Sequence, residues 1–369
     1  MKITSIKSHV LRYELEKELG YSQQYYKHRT AHLVEVQTDE GITGWGECFG
    51  PGNIALANRY IVEKVIQPLV IGEDPLNKEH IWQKVYNLLR DSGQKGMPIQ
   101  ALSGVDIALW DILGKKTKAP LYQLVGGKCN NKVPVYGYGM MLQKKSVNEL
   151  VALFQEESKQ IKSKNFKAMK MKVGLGPKED LKLVQAVRDS VGKDFKLMVD
   201  ANNAYRHYEA IEFARKAEKY DLFWFEEPVE PDDYIGQSEI TRSTSIPVAA
   251  GENEYTRYGF RDMINHRAVD ILQPDCLILG GVTEFMKVCA LAQSNDLDIA
   301  PHGAQEVHIH LVSAIPNGLI LEYYRDTVNP MHGKIWENEL VLRDGYVYAP
   351  DLPGFGLNPK WKDLEPYRV

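Results

Sequence analysis

The stretch FKAMKMKVG, residues 166–174, places two ammonium groups in a run whose other members are mostly apolar. Side chains alternate across a β-strand, so Ala168, Lys170 and Lys172 share one face while Met169, Met171 and Val173 share the other. Lysine is rarely buried, and a KxK taken alone reads as a half-solvated strand. The acidic residues downstream change that reading. Asp200, Glu226 and Glu252 each close a short apolar run (KLMVD, LFWFEEP, PVAAGE) and follow one another at intervals of 26 residues. The same interval selects Glu226 over its neighbour Glu227. Three carboxylates brought together repel one another unless a cation neutralises them, and all-oxygen ligation suits a hard ion such as Mg²⁺. Asp275 closes VDILQPD, His302 closes LDIAPH, and Glu322 lies in GLILEYY. A histidine whose one ring nitrogen donates to a carboxylate keeps the other for proton transfer. A lysine beside a second cation holds its proton less tightly.

These residues need elements that bring them to one place. Residues 1–50 alternate as a three-stranded antiparallel meander with a turn at Asp39-Glu40-Gly41. From about 54 to 124 the apolar spacing becomes helical, and Pro120 stops the run PIQALSGVDIALWDILGKKT. Eight short apolar runs follow, from VPVYGYG to GLILEYY, separated by seven stretches of helical periodicity. Strands alternating with helices over roughly 200 residues predict a closed parallel (β/α)8 barrel, whose chemistry lies at the C-terminal ends of its strands. Every polar residue named above ends such a run. The expected organisation is an N-terminal α+β capping domain over 1–125, a modified (β/α)8 barrel over 126–325 and a C-terminal segment, 326–369, that returns to the cap. A single Asp or Glu after a strand is more often a helix cap. His308 and His310, within the helical stretch QEVHIHLVSAI, are expected to serve packing.

The chain has 369 residues, 44% hydrophobic and 25% charged, with a net charge of −4, which is the balance of an ordinary globular protein. Nothing in it suggests nucleic acid or a membrane surface as a partner. No run approaches the roughly 18 apolar residues of a spanning helix, and a cytoplasmic location is expected. Cys48, Cys129, Cys276 and Cys289 are scattered without a CxxC pair, so four reduced thiols are expected.

Taken together, GITGWGE, SGVDIALWDILGK, VGGK, KMKVG, MVDAN, FEEP, GEN, QPD, PHGAQE and LEYY resemble the enolase superfamily and, within it, the mandelate racemase-like subgroup. The resemblance spans nearly the whole chain. It implies a Mg²⁺ site at Asp200, Glu226 and Glu252, a base at Lys172 with Lys170 beside it, and an Asp275–His302 dyad on the opposite wall. It implies abstraction of a proton α to a carboxylate through an ene-diolate; Glu322, if protonated in this acidic site, would donate to the second carboxylate oxygen. This superfamily is a standing example of metal-assisted ene-diolate chemistry. Relatives of this fold assemble as homo-oligomers, so the same is expected here.

Two opposed acid–base groups serve either racemisation or loss of a leaving group. The discriminator is what covers the substrate, and the corresponding stretch is GYSQQYYKHRT, a lid of hydrogen-bonding residues. Tyr21, Lys27, His28 and Arg29, with Asn202 after the third barrel strand, are the expected substrate contacts. Buried hydroxyls need partners, so a polar lid favours an acid sugar, aldonate or aldarate, over an aryl acid. The expected activity is dehydration of an acid sugar to a 2-keto-3-deoxy acid, with racemisation of a 2-hydroxy acid as the alternative. A zinc-type barrel hydrolase would need HxH on the first barrel strand, which VPVYGYG lacks. A muconate cycloisomerase or dipeptide epimerase would place a lysine where this chain has Asp275.

Overall fold

Three N-terminal strands form an antiparallel sheet in the order β1 (Ile3–Tyr21), β2 (Gln24–Thr38), β3 (Thr43–Cys48). This computed structural model describes all 369 residues. The helix Met97–Thr117 lies directly on β3 because the GWG sequence leaves room for it: a Cβ on Gly46 would stand 2.0 Å from the Gly104 carbonyl oxygen. That helix ends where Lys118 turns left-handed, two residues before Pro120.

Eight parallel strands follow: β4 (Val133–Tyr138), β5 (Ala168–Lys172), β6 (Lys196–Asp200), β7 (Leu222–Glu226), β8 (Val248–Ala250), β9 (Ile271–Leu272), β10 (Asp298–Ile299) and β11 (Leu321–Tyr324). Each pairs with its sequence neighbour from β4 to β10, and β11 pairs with β4. A bridge between Ile299 and Gly318 closes the ring between β10 and the approach to β11. Seven helices alternate with the strands; the first, Val147–Ser163, begins at a capping box formed by Ser146 and Glu149.

Strand alternation separates two cores. Met169, Met171, Leu197, Val199 and Phe225 face outward into the layer shared with the helices. Tyr136, Ala168, Met198, Trp224, Ala249, Ile271, Ala300 and Ile320 face inward and fill the barrel as a small separate cluster. The residue two positions further along each strand faces the same way one layer higher. This is why the barrel's apolar floor is followed at once by charged side chains.

The remaining chain locks cap to barrel. Asp106, buried on the cap helix, accepts from the Thr283 amide at 2.9 Å and hydroxyl at 2.6 Å, and the Trp82 indole donates to the Gly280 carbonyl at 2.8 Å. Asp111 accepts from the amides of Trp45 at 2.9 Å and Phe355 at 3.1 Å, so cap sheet, cap helix and C-terminal segment meet on one buried carboxylate. Arg368 bridges to Leu11, while β12 (Tyr346–Val347) adds antiparallel to β4, a pairing the sequence pattern did not suggest.

Candidate active site

The layer above the barrel floor holds Lys170, Asp200, Glu226, Gln273, His302 and Glu322, each two residues beyond a floor residue of its own strand. In-register pairing sets Lys172 beside Asp200 and Asp200 beside Glu226. Glu252, two residues after β8, completes a group in which carboxylate oxygens of Asp200, Glu226 and Glu252 lie within 4.8 Å of one another.

Both lysines are buried among these acids. Lys170 donates to Glu226 and lies 3.6 Å from Asp200 and 3.0 Å from Glu322; Lys172 donates to Asp200 and, at 2.6 Å, to Asn202 Oδ1. Four carboxylates (Asp200, Glu226, Glu252, Glu322) outnumber the two ammonium groups and the His302 ring that face them in a closed space. Burial, reinforced by Asp200, accordingly pushes the Glu226 carboxyl up to about 8. A divalent cation supplies the missing charge, and the all-oxygen donor set fits a hard one. Glu226 is also the best supported of the three: its Oε2 accepts from the Trp224 indole and the Gln273 amide, each at 2.8 Å.

Neighbouring charges set the protonation of Glu322 and Lys172. Burial pushes the Glu322 carboxyl upward, but Lys170, His302 and the Gly303 amide, which donates to Oε2 at 2.8 Å, outweigh burial and hold it down at about 2, so the condition for it to donate is not met here. Its Oε1, which Lys170 approaches without hydrogen-bonding geometry, remains an open acceptor. Lys172 was expected to lose its proton readily. Burial and Lys170 act in that direction, yet Asp200 and Tyr138 prevail and raise its proton affinity. A divalent ion drawing on Asp200 competes for the same oxygens and weakens that hold.

On the far side of the cluster His302 Nδ1 lies 2.9 Å from Asp275 Oδ2, and its Nε2 is 3.6 Å from Glu252 and 3.4 Å from the Tyr324 hydroxyl. Asp275 Oδ1 accepts from the Leu277 amide at 2.8 Å, which fixes the pair. Burial depresses the imidazole, but Glu252 and Asp275 overcome it and raise the ring to about 10. Lys172 and His302 therefore flank the carboxylates from two ends, one at Asp200 and the other at Glu252. His308 and His310 do not reach the mouth. His308 accepts from the Cys276 amide at 3.0 Å and binds the Gly303 carbonyl at 2.8 Å, while His310 meets the Phe355 carbonyl at 3.2 Å.

The lid is a hairpin rather than a loop. β1 and β2 pair as far as Tyr21 with Gln24, and Ser22 at the tip donates to the carbonyls of Ala201 at 2.7 Å and Asn202 at 2.9 Å. The tip is thereby pinned to the turn after β6. Tyr21 comes within 6.0 Å of the Lys172 ammonium. Asn202 orients Lys172 and donates to Glu227 at 3.2 Å. Lys27, expected as a substrate contact, falls in a register break of β1–β2 and is exposed to solvent. His28 turns to the rim, 3.3 Å from Arg12 and against Gly52. Arg29 lies inward, its guanidinium over the Tyr26 ring at 4.7 Å.

Sequence reasoning missed four neighbours of the dyad. Phe49, carried by the turn after β3, stands edge-on to His302 with ring centroids 6.4 Å apart. Tyr324, one strand alternation beyond Glu322, was detectable from that spacing. Glu306 and His332, 3.2 Å apart, come from a helix start and the C-terminal segment and carried no periodic signal.

Comparison with known proteins agrees with this geometry. Residues 19–126 match the family described as mandelate racemase / muconate lactonizing enzyme, N-terminal domain, and residues 153–363 match that described as enolase C-terminal domain-like. The chain is 36% identical over 384 residues to D-galactarolactone cycloisomerase of Agrobacterium fabrum, covering 100% of this chain and 99% of that protein. It is 34% identical over 341 residues to arabinonate dehydratase of Saccharolobus solfataricus, covering 91% and 90%. The crystal structure of a racemase from Streptomyces coelicolor A3(2) with bound magnesium superimposes with a TM-score of 0.93 at 32% identity, over 100% of both chains. With both of its domains matched and these relatives covering its length, the chain belongs to the mandelate racemase / muconate lactonizing enzyme family of the enolase superfamily.

Proposed function

We propose that this protein is a Mg²⁺-dependent enzyme that breaks a carbon–oxygen bond β to the carboxylate of an acid sugar, releasing water and a 2-keto-3-deoxy acid. The observation that carries the reading is the placement of Lys172 and the Asp275–His302 pair at two ends of the Asp200–Glu226–Glu252 cluster. Asp200, Glu226 and Glu252 would hold the metal, which when bound neutralises their charge and stabilises negative charge developing on the substrate carboxylate. Lys170, between Glu226 and Glu322, keeps a positive charge beside the same carboxylate. Lys172 or His302 takes the α proton. His302, whose Nδ1 is held by Asp275, donates from Nε2 to the departing oxygen. Tyr21, Asn202 and Arg29 orient the polyol, while the pinned hairpin and Phe49 exclude water.

The relatives support this reading in chemical class and divide on the final step: arabinonate dehydratase is named for loss of water, D-galactarolactone cycloisomerase for an isomerisation. The 36% identity along the full chain keeps the second reading in play, with the same proton removal but a ring oxygen as leaving group. A screen of aldonates, aldarates and their lactones, read by 2-keto-3-deoxy acid formation, decides between them. Loss of activity in chelator and its return with Mg²⁺ are expected. Turnover by metal-free protein, or racemisation of mandelate with no acid sugar consumed, would refute the proposal.

A further inference from the structure

Tyr324 faces the barrel mouth one alternation above Glu322, and the chemistry set out so far gives its hydroxyl no task. The rest of the side chain is held firmly. Its backbone amide donates to Gln305 Oε1 at 2.7 Å, and its ring meets those of Tyr138, with centroids 4.8 Å apart, and of His332, stacked at 5.1 Å. Tyr138, Met141 and Val328 form a small cluster with it, against which Leu19 and Tyr26 of the hairpin pack. Only 9% of the residue is exposed. A side chain enclosed in this way presents its terminal oxygen at a fixed position.

That oxygen has a single hydrogen-bonding neighbour, His302 Nε2, at 3.4 Å. Buried tyrosine hydroxyls ordinarily take a closer partner, at roughly 2.7–3.2 Å. Here neither group is free to close the gap, because Asp275 holds the imidazole by Nδ1 at 2.9 Å and the cluster holds the phenol. Two polar atoms at this separation share positions about 2.8 Å from both, where a third oxygen can meet each of them. Burial, with Glu322 and Tyr138 adding to it, raises the proton affinity of the phenol, so the hydroxyl remains a neutral donor.

We infer that Tyr324 is a further catalytic residue, whose hydroxyl and His302 Nε2 together receive the oxygen that leaves the β carbon. The inference rests on the acid-sugar reading and deepens it. In this step the α C–H bond breaks and its electron pair passes through the ene-diolate into a carbon–carbon double bond as the bond from the β carbon to oxygen breaks. The oxygen takes the Nε2 proton and departs as water. Tyr324 keeps its own proton and donates a hydrogen bond to the oxygen while negative charge gathers there. A fixed donor aimed at charge that develops only in the transition state contributes to kcat more than to substrate binding.

The test is Tyr324→Phe, which removes the hydroxyl and keeps the ring, assayed with Mg²⁺ on the acid sugar that the wild type dehydrates best and on its analogue with fluorine in place of the β-hydroxyl. Fluoride departs without a proton, and both compounds give the same 2-keto-3-deoxy acid, so one assay reads both. For the hydroxy acid kcat should fall about 10²-fold with KM within about threefold of wild type, while kcat for the fluoro analogue should fall by no more than about threefold. The ratio of the two is unaffected by any loss of folded protein, and disturbed packing slows both compounds alike. A crystal structure of the variant should show the imidazole still held by Asp275. Equal slowing of both compounds, unchanged turnover of the hydroxy acid, or an imidazole displaced from Asp275 would each overturn the inference while leaving the acid-sugar reading intact. Failure of the wild type to turn over any acid sugar would instead remove the reading on which it rests.

Discussion

Gln273→Leu tests whether the buried amide next to the carboxylate cluster sets metal affinity. Gln273 lies inside the barrel, 1% exposed, and donates to Glu226 Oε2 at 2.8 Å. Leucine has a similar volume, so the change removes one hydrogen bond to a buried carboxylate while the Trp224 indole remains. A hydrogen bond to a charged group contributes about 1.5–3 kcal/mol, which corresponds to a loss of roughly 10–150-fold in affinity for a ligand that needs the carboxylate oriented and ionised. Partners that hold metal ligands in place are typically worth 10–100-fold, the same range. The assay is activity against Mg²⁺ concentration at fixed pH, with calorimetric Mg²⁺ titration as an independent measure and the melting temperature as a folding control. Half-saturation by Mg²⁺ should rise about 10–100-fold with little change in kcat at saturation. A folded variant with half-saturation within about twofold of wild type would show that Glu226 needs no second donor, or that it does not bind the metal.

Three further outcomes follow from the same contacts. Lys172→Ala and His302→Asn should each lower net turnover by at least about 10²-fold, and a variant that keeps the group removing the α proton should still exchange it with deuterated solvent; wild-type-like turnover after either change would show that the pair is misassigned. His32 is fully buried in the cap with neither ring nitrogen partnered, and burial holds it down at about 3. The folded state thus refuses a proton that the unfolded chain accepts below about 6.5, so stability present above that pH is lost on acidification toward 3, by about 1.4 kcal/mol per pH unit at most. His32→Leu should flatten the acid side of a melting-temperature profile relative to wild type, and parallel profiles would contradict the assignment. Asp111→Ala strands the Trp45 and Phe355 amides and should cost about 2–6 kcal/mol, read as a fall in denaturation midpoint; a midpoint unchanged from wild type would mean that cap and C-terminal segment are held by other contacts.

Much of this protein was legible along the chain because the barrel repeats. One β/α unit recurs, so the spacing of Asp200, Glu226 and Glu252 already placed three carboxylates at adjacent strand ends, and two-residue alternation put Lys170 and Lys172 on one face. The family motifs reached the same residues. Local pattern carried no such information about the lid. Whether residues 21–29 form a loop or a hairpin depends on how β1 and β2 register, and that register breaks at Lys27, which is exposed, while Arg29 lies inward. Protonation was equally out of reach, since the states of Glu322 and Lys172 follow from distances to Lys170, Gly303 and Asp200 that exist only once the barrel is closed. The Glu306–His332 pair draws on two segments apart in sequence and obeys no period. Periodicity is a property of neighbours along a chain, whereas an ion pair is set by whatever the fold brings within a few ångströms.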